Sequence, residues 1–265
     1  MKPRYDFSGC TVFVSGGTSG INLGIADAYA AAGARVAVMS RNPDRVAAAQ
    51  AQLARHGQPV LGHTGDVRDP VRVQQVLAEV HAAWGAIDVL VSGAAGNFLA
   101  RALDLSPNGF RAVVDIDLIG TFHVLRAAHA YLRQPGASII NISAPQSYNP
   151  APLQVHACAA KAGVDQIMRV LAMEWGAEGI RVNSIVPGPV EGTTGLAKLS
   201  SDRARASMAR RVPLGRLGRL QDIAAMALFL GSDDASYITG ALIPVDGGIS
   251  LLGARNHALD EEAAA

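Results

Sequence analysis

Short apolar segments alternate with segments of helical length along almost the whole chain. Strands that are apolar on both faces are typical of a parallel sheet covered by helices, and the alternation implies right-handed crossovers. The sequence therefore predicts an α/β fold with one doubly wound, parallel sheet of seven strands and helices on both faces. The predicted strands are Cys10–Ser15, Arg35–Ser40, Val60–Thr64, Val89–Ser92, Ser138–Ser143, Arg181–Val186 and Ala241–Val245.

Three of the predicted helices stop at a glycine. Gly33, Gly57 and Gly85 each follow a helical pattern, and glycine most readily adopts the left-handed conformation of a helix C-cap. The predicted helices are Gly20–Ala32, Pro43–His56, Asp69–Trp84, Pro107–Leu132 and Val155–Ala177.

The single alternating pattern of the 265 residues predicts one domain over 1–252. Segment 191–215 interrupts the pattern, and we interpret it as a loop and helix that cover the carboxyl edge of the sheet. We interpret residues 253–265 as a flexible C-terminal tail.

Composition argues against several kinds of partner. The 23 basic and 22 acidic residues nearly cancel, whereas a nucleic-acid-binding protein normally carries a basic excess or stripe. No run of about 18 apolar residues is present, so we expect no membrane span. Two cysteines give no disulfide framework and the N-terminus has no apolar signal core, so we expect a cytoplasmic protein. We also predict no metal site.

A glycine-rich turn, Ser15–Gly24, joins the first predicted strand to the first predicted helix. Glycine is needed where the backbone turns tightly and approaches a pyrophosphate, and the following helix directs its N-terminal amides at that anion. A glycine cluster alone could be a flexible turn, but its place in the first βαβ unit favours a Rossmann-type dinucleotide site. The candidate phosphate-binding residues are Gly16, Thr18, Ser19, Gly20 and Ile21.

The end of the second strand indicates which dinucleotide is bound. An NAD-preferring site usually has a carboxylate there for the ribose 2′-hydroxyl, whereas a cation accommodates a 2′-phosphate. Ser40 and Arg41 occupy this place, so we predict NADP(H); the alternative is a solvated surface arginine. Asp66 could accept from the adenine amino group with Val67 against the ring, or it could cap the helix that begins near Asp69.

Seven further motifs occur in an order and spacing that resemble the short-chain dehydrogenase/reductase family over nearly the full chain. They are Gly65-Asp66-Val67, Ser92-Gly93-Ala94-Ala95-Gly96, Asn141-Ile142-Ser143, Ala160-Lys161-Ala162-Gly163, Arg181-Val182-Asn183, Pro187-Gly188-Pro189 and Val245-Asp246-Gly247-Gly248. The resemblance implies a homotetramer, for which Val155–Ala177 and Asp246–Leu252 are the expected interfaces. It also implies cofactor contacts from Gly93, Ala94, Ala95, Lys161, Pro187, Gly188, Val190 and Thr193.

The chain departs from the family pattern at four positions. The third glycine of the glycine-rich signature is replaced by Asn22, so the packing of helix against turn is expected to differ there. The positions of the catalytic tyrosine and serine hold Ala157 and Ala144, and the helix position of the catalytic asparagine holds Asp117. Only Lys161 of the family's catalytic tetrad remains.

These departures change the chemistry that the resemblance implies. Carbonyl reduction in the family uses the tyrosine hydroxyl as a general acid, and the loss of a general acid typically costs about 10²–10⁴ in rate. Reduction of a carbon–carbon double bond conjugated to a thioester instead needs a donor that stabilises the thioester oxyanion. The carbon itself can be protonated by water or a weak acid.

One subgroup of the family matches this requirement. The stretches Ala94–Leu99, Leu153–Ala157 and Pro187–Thr193 resemble the 2,4-dienoyl-CoA reductases, especially those of the peroxisomal type. The resemblance implies NADPH as cofactor, an acyl thioester of CoA as substrate and a trans-3-enoyl-CoA as product. Arginines within Arg203–Arg211, or Arg216 and Arg219, could then bind the phosphates of CoA.

Lys161 and Asp117 are the predicted catalytic residues. Lys161 is expected to bind the nicotinamide ribose hydroxyls and to place positive charge near the developing oxyanion; the alternative is an exposed helix lysine. Asp117 is expected to orient a water molecule or to position Lys161, with a structural ion pair as a nearly equal alternative.

Four residues are predicted to contact the substrate. Asn97 and Phe98 are expected to border the acyl pocket, although Phe98 could be only part of the core. Tyr148 could act as a substitute proton donor, but it precedes a proline-rich loop that leaves its direction open. His156, beside the vacated tyrosine position, is more consistent with packing or pairing than with proton transfer.

Three functions are compatible with the sequence. The favoured one is NADPH-dependent reduction of a conjugated enoyl or 2,4-dienoyl thioester. The second is a carbonyl reductase or alcohol dehydrogenase that uses Tyr148. The third is a non-catalytic NADP(H)-sensing protein, which would tolerate the loss of the serine and the tyrosine.

Overall fold

In a computed structural model, the chain forms a parallel seven-stranded sheet in the order β3-β2-β1-β4-β5-β6-β7, with helices on both faces. This confirms the predicted Rossmann-type α/β fold. Each strand lies within one residue of its predicted bounds. The structure describes residues 5–193, 196 and 201–251. The strands are β1 (Thr11–Ser15), β2 (Arg35–Ser40), β3 (Val60–Thr64), β4 (Val89–Ser92), β5 (Ser138–Ile142), β6 (Arg181–Pro187) and β7 (Leu242–Val245).

The described helices differ from prediction mainly after β4. The predicted helix Pro107–Leu132 is divided by a π-helical turn, Asp115–Ile119, and its α-helical part ends at Ala128. A π-helical turn inserts an extra residue into the helix and is frequently found at functional sites. The helices are α1 (Gly20–Ala31), α2 (Pro43–Leu53), α3 (Pro70–Trp84), α4 (Pro107–Val114), α5 (Gly120–Ala128), α6 (Val155–Trp175), α7 (Asp202–Arg211) and α8 (Leu220–Gly231).

The three glycines after helices all have positive φ, but they are not equivalent. Gly33 follows α1 with φ of +94°, and Gly57 has left-handed values of φ 79° and ψ 4°. At Gly85, φ is 80° and ψ is −156°, so the predicted left-handed cap is wrong there. The extended ψ directs the chain straight towards β4 instead of continuing the turn.

Two apolar layers cover the sheet. Helices α1, α2 and α8 pack on one face, and α3, α5 and α6 pack on the other. The connections that leave β1 and β4 therefore run to opposite faces, although these two strands are neighbours in the sheet. Such a switch point opens a crevice at the carboxyl ends of the strands, where ligands of doubly wound sheets bind.

Parts of two predictions lie outside the described residues. The predicted excursion 191–215 is described only at 191–193, 196 and 201–215, where it contains α7, and the predicted tail 253–265 is not described at all. Within the described ranges, every helix is too short or too polar to span a bilayer. The same ranges contain no group of three or more His, Cys, Asp or Glu side chains placed to hold a metal ion.

Tyr29 links α1 to α8, so its hydroxyl provides a test of the packing on that face. The hydroxyl donates a 2.6 Å hydrogen bond to Ala227 O, and the side chain is fully buried. We expect Tyr29→Phe to lower the free energy of unfolding by about 0.5–1.5 kcal/mol, because the ring stays packed while the hydrogen bond is lost. Urea denaturation measures the change. Tyr237→Phe, at a fully exposed ring, is the matched control, and equal stability of the two variants would contradict this account.

Candidate active site

The glycine-rich turn leaves β1 and enters α1 with the backbone of an anion site. Gly16 and Gly20 have φ of +72° and +54°, a region that residues with a Cβ rarely adopt. A Cβ on Gly16 would also lie 2.8 Å from Ala94 Cα, so the turn touches the loop after β4. Ser19 is the N-cap of α1 but makes no side-chain capping bond, so its exposed hydroxyl is available to an anion at the helix N-terminus.

A cleft of about 200 Å³ lies between this turn, the end of β2 and the loops after β3 and β4. The predicted cofactor residues that line it are Gly16, Thr18, Ser19, Ser40, Arg41, Asp66, Val67, Gly93, Ala94 and Ala95. Gly20 and Ile21 begin α1 beside the cleft rather than lining it. Sequence reasoning missed five lining residues, Asn22, Met39, Arg45, Gly65 and Ile116. Arg45 had a usable signal, because it lies in the first turn of the helix that follows β2.

Asp66 is held by two arginines. Arg68 donates to its carboxylate at 2.6 Å, and Arg41 lies 3.9 Å from the same oxygen. The Arg68 hydrogen bonds hold the pKa of Asp66 below its ordinary value, even though partial burial opposes this. Asp66 does not cap α3, because Asp69 is the N-cap and accepts from two amides of the first turn. That alternative is therefore wrong.

Val67 separates the cleft from α5. Its side chain is buried, and a Cβ on Gly120 would lie 2.5 Å from its Cγ2, so the glycine makes this close approach possible. His123 Nδ1 donates a 2.9 Å hydrogen bond to the Val67 carbonyl. These contacts fix Val67 at the cleft wall, and its contact with an adenine ring stays a prediction.

Asp117 and Lys161 form a buried ion pair. Lys161 Nζ lies 3.5 Å from Asp117 Oδ2 and donates a 3.0 Å hydrogen bond to Ile142 O. Asp117 Oδ1 accepts from Gly96 N at 2.7 Å. Only 2% of the Asp117 side chain and 11% of the Lys161 side chain are exposed, so the alternative of an exposed helix lysine is wrong. The pair spans the ends of β4 and β5 and depends on the π-helical turn that carries Asp117.

Burial dominates the electrostatics of this pair. It raises the pKa of Asp117 above the ordinary carboxyl value, although Lys161 and the Gly96 amide favour the charged form. The carboxyl group therefore releases its proton less readily than a carboxyl in water. A buried group with this property is suited to hold a proton or to orient a water molecule.

The neighbouring Ser143 does not supply the hydroxyl that is missing at the family's tyrosine and serine positions. Ala157 is buried on α6, and Ala144 follows β5. The neighbouring Ser143 donates its hydroxyl to Asp165 Oδ2 at 2.9 Å, and both side chains are buried. Its hydroxyl is thus engaged within the protein.

Three side-chain amides join the loops that carry the predicted substrate residues. Asn97 Nδ2 donates to Gln154 Oε1 at 2.6 Å, and Gln146 Nε2 donates to the same oxygen at 3.3 Å. Leu153 has φ of +67°, which is uncommon for a branched residue, and its carbonyl accepts from Ala100 N at 2.9 Å. Gln146 was missed by sequence reasoning, because a glutamine in a loop carries no local signal.

Phe98 and His156, two of the predicted substrate residues, lie side by side. Their ring centroids are 4.5 Å apart, and the histidine ring is fully buried. Burial lowers the pKa of His156, although the Phe98 backbone and the Asp117 carboxyl group favour the charged form of the ring. Phe98 is 41% exposed, so the alternative that it belongs only to the core is wrong. The structure thus brings Asn97, Phe98 and His156 together.

Tyr148 is placed differently. Its side chain is 43% exposed, and its hydroxyl has no hydrogen-bond partner within the described part of the chain. It follows a short turn after β5, Pro145–Ser147, on the way to α6. The structure therefore provides no contact that ties Tyr148 to Asp117 or Lys161.

The segment after β6 turns back towards the glycine-rich turn. Thr193 Oγ1 donates to Val190 O at 2.9 Å, and a Cβ on Gly20 would lie 3.7 Å from Thr193 Cγ2. A Cβ on Gly188 would lie 2.6 Å from Asp246 Cα, so this strand end packs tightly against the end of β7. A larger cavity of about 690 Å³ lies behind Gly188, and neither Asp117 nor Lys161 lines it.

The arginines predicted to bind CoA phosphates are only partly described. The side chains of residues 202–205 lie outside the described part of the structure. Arg216 donates to Asp222 at 2.6 Å, so its charge is already paired. Arg219 is the N-cap residue of α8.

Comparison with known proteins identifies the family. The model described as Enoyl-(Acyl carrier protein) reductase matches residues 16–250. The chain is 42% identical over 253 residues to "Peroxisomal 2,4-dienoyl-CoA reductase [(3E)-enoyl-CoA-producing]" of Arabidopsis thaliana, covering 92% of this chain and 85% of the relative. It is 41% identical over 241 residues to "Probable 2,4-dienoyl-CoA reductase [(2E)-enoyl-CoA-producing]" of Bacillus subtilis, covering 89% and 95%.

A solved structure agrees with these relatives. A short chain dehydrogenase from Bacillus anthracis superposes with a TM-score of 0.86 at 36% identity, covering 93% of this chain and 98% of that chain. The chain belongs to the short-chain dehydrogenase/reductase family, whose members are oxidoreductases that use a nicotinamide cofactor.

The raised pKa of Asp117 can be measured. We expect its carboxyl group to titrate above the ordinary value of 3.8, and Lys161→Met to raise the pKa further, because the lysine favours the charged form. Because the pKa of Asp117 is higher in the folded protein than in the unfolded chain, its contribution to stability is fully present at low pH. That contribution is lost as the pH rises through the pKa of the folded protein. Infrared difference spectra between each protein and its Asp117→Asn counterpart report the titration. A lower pKa after Lys161→Met would show that burial and the lysine do not act as described.

Proposed function

We propose that the chain is an NADPH-dependent oxidoreductase that reduces a conjugated enoyl or 2,4-dienoyl thioester, with CoA as the carrier. The observation that carries the proposal is the buried Asp117–Lys161 pair in a site whose tyrosine and serine positions hold Ala157 and Ala144. The two relatives named as 2,4-dienoyl-CoA reductases support it. A homotetrameric assembly and a cytoplasmic location belong to the same proposal.

The residues that line the cleft support a dinucleotide that carries a 2′-phosphate as the ligand. The N-terminus of α1 and the Ser19 hydroxyl suit the pyrophosphate, while Ser40, Arg41 and Arg45 line the end of β2. The carboxylate of Asp66 is paired with arginine, which leaves this end of the cleft favourable to an added phosphate. When bound, the nicotinamide supplies the hydride.

The roles of Lys161 and Asp117 follow from their surroundings. Lys161 would bind the nicotinamide ribose and place its charge where the thioester oxygen becomes negative. Asp117 would orient a water molecule that protonates carbon, because its bond to Gly96 N holds the carboxyl group in place. Such a site does not require the hydroxyl acid that a ketone needs.

The carbon that is protonated defines the product. Hydride adds to the δ-carbon of the dienoyl thioester, and the electron pairs shift to give a dienolate with charge on the thioester oxygen. Protonation at the α-carbon then leaves the double bond between the β- and γ-carbons, which is the (3E) product. Protonation at the γ-carbon would give the (2E) product instead.

The activity assay tests the proposal directly. We expect the purified protein to oxidise NADPH with 2,4-hexadienoyl-CoA and to turn over simple ketones far more slowly, because the site lacks a hydroxyl acid. Nicotinamide absorbance follows the rate, and proton NMR assigns the product double bond. A protein that binds NADPH but leaves dienoyl-CoA unchanged, or that prefers ketones, would contradict the proposal.

Asp117 is expected to be needed for turnover. We expect Asp117→Asn to lower kcat by about 10²–10⁴, the range for loss of an acid–base group, with a smaller change in NADPH affinity. Asp115→Asn, a change in the same π-helical turn but away from Lys161, is the matched control. Steady-state kinetics with dienoyl-CoA measures both variants, and equal losses in the two would rule out a specific role for Asp117.

Arg41 is expected to select the cofactor. We expect Arg41→Ala to raise the Kd for NADPH by about 10- to 100-fold, as for loss of a charged hydrogen bond, with little effect on NADH. Arg55→Ala, at an exposed arginine after α2, should leave both affinities unchanged. Quenching of protein fluorescence measures the Kd of each of the two variants for NADPH and for NADH. An equal loss for NADH and NADPH would mean that Arg41 does not read the 2′-phosphate.

A further inference from the structure

Asn22 connects two loops that the fold would otherwise leave separate. It is the third residue of α1, and its Nδ2 donates to Gly93 O at 2.7 Å. The same nitrogen lies 3.4 Å from Gly16 O, to which it also donates. One side-chain amide therefore binds a carbonyl of the glycine-rich turn and a carbonyl of the loop after β4.

The two loops meet at the switch point of the sheet. Ser15 at the end of β1 and Ser92 at the end of β4 are partners in register, and Gly16 and Gly93 follow them directly. The chain then leaves for opposite faces of the sheet, so the two carbonyls lie where the crevice opens. Because both loops line the cleft of the proposed cofactor, their separation sets its width.

The Asn22 side chain fits in its place only because residue 93 is a glycine. A Cβ on Gly93 would lie 2.5 Å from both Cγ and Nδ2 of Asn22, and nearer still to Oδ1. Side chains do not approach this closely, so the amide occupies the space that any other residue at position 93 would need. Asn22 stands where the family signature has glycine, so this contact exists because the chain departs from that signature.

The other end of the amide is unsatisfied. Asn22 Oδ1 is buried and has no hydrogen-bond partner among the described residues, although Asn22 lines the cleft. A buried acceptor without a donor is costly, and such groups normally find a partner in a ligand or in water.

We propose that Asn22 is a positioning residue for the dinucleotide, which it serves by holding the glycine-rich turn and the Gly93–Ala95 loop at a fixed separation. The inference rests on the proposed function for the identity of the cofactor. The amide donates to both loops, and Asn22 itself lines the same cleft. These two hydrogen bonds of Asn22 would keep the cleft at the width that a dinucleotide fills.

An isosteric substitution tests the donor. Asn22→Asp keeps the shape of the side chain but replaces the NH₂ group with an oxygen that faces two carbonyls, so we expect the Kd for NADPH to rise more than about tenfold. Asn22→Gly, which restores the family residue, should raise Kd by about 3- to 10-fold while kcat at saturating NADPH stays within about twofold. Asn108→Asp, the same change at an exposed asparagine of α4, is the control.

A double-mutant cycle tests the contact itself. Gly93→Ala alone should weaken NADPH binding because its methyl group meets Asn22, and Asn22→Gly should remove most of that penalty in the double variant. The proposal is overturned if Asn22→Gly binds NADPH as tightly as the wild type, or if Gly93→Ala is equally harmful with and without Asn22. A loss of kcat and thermal stability without a change in Kd would also overturn it. If the wild type prefers NADH, the proposed function fails, and the same cycle is measured with that dinucleotide.

Discussion

The site depends on an ammonium group and a carboxylate that are buried together between the ends of two strands. Removing two charges from water costs several kcal/mol per ion, and their mutual attraction repays it only when further hydrogen bonds satisfy them. Those bonds are present, since Ile142 O accepts from Lys161 and Gly96 N donates to Asp117. The pair is therefore tolerable in the fold, but packed apolar residues of similar volume would be at least as stable.

The rest of the molecule supplies what this pair requires. The parallel sheet brings the end of β4, which carries Gly96 on its following loop, next to the end of β5, which carries Ile142. Helix α6 brings Lys161 over that edge, and the π-helical turn rotates Asp117 towards it. The apolar layers on both faces fix these elements without contributing to the chemistry. The polar residues that matter lie at one edge of the sheet.

Much of this arrangement is readable from the sequence because its signals are local. Apolar runs of four to seven residues define the strands, and the glycine-rich turn defines the first crossover. The features that escaped prediction are set by contacts between distant segments. The π-helical turn is one, the positive φ of Leu153 is another, and the pairing of Asp66 with Arg41 is a third. The amide at position 22 could be read as a departure from the family signature, but its partner Gly93 lies 71 residues away.

The cost of the buried pair also bears on whether the protein is an enzyme or only a nucleotide sensor. A sensor needs the cleft, the glycine-rich turn and the cations at β2, none of which involves Asp117. A buried ion pair that costs desolvation, and whose carboxyl group has its pKa raised by burial against the pull of the lysine, is better explained by chemistry at the nicotinamide end. Ala157 and Ala144 remove the hydroxyls for carbonyl reduction, while the retained charges suit a substrate whose negative charge forms on a thioester oxygen. The same pair that is hard to justify as structure is thus the feature that most strongly favours catalysis.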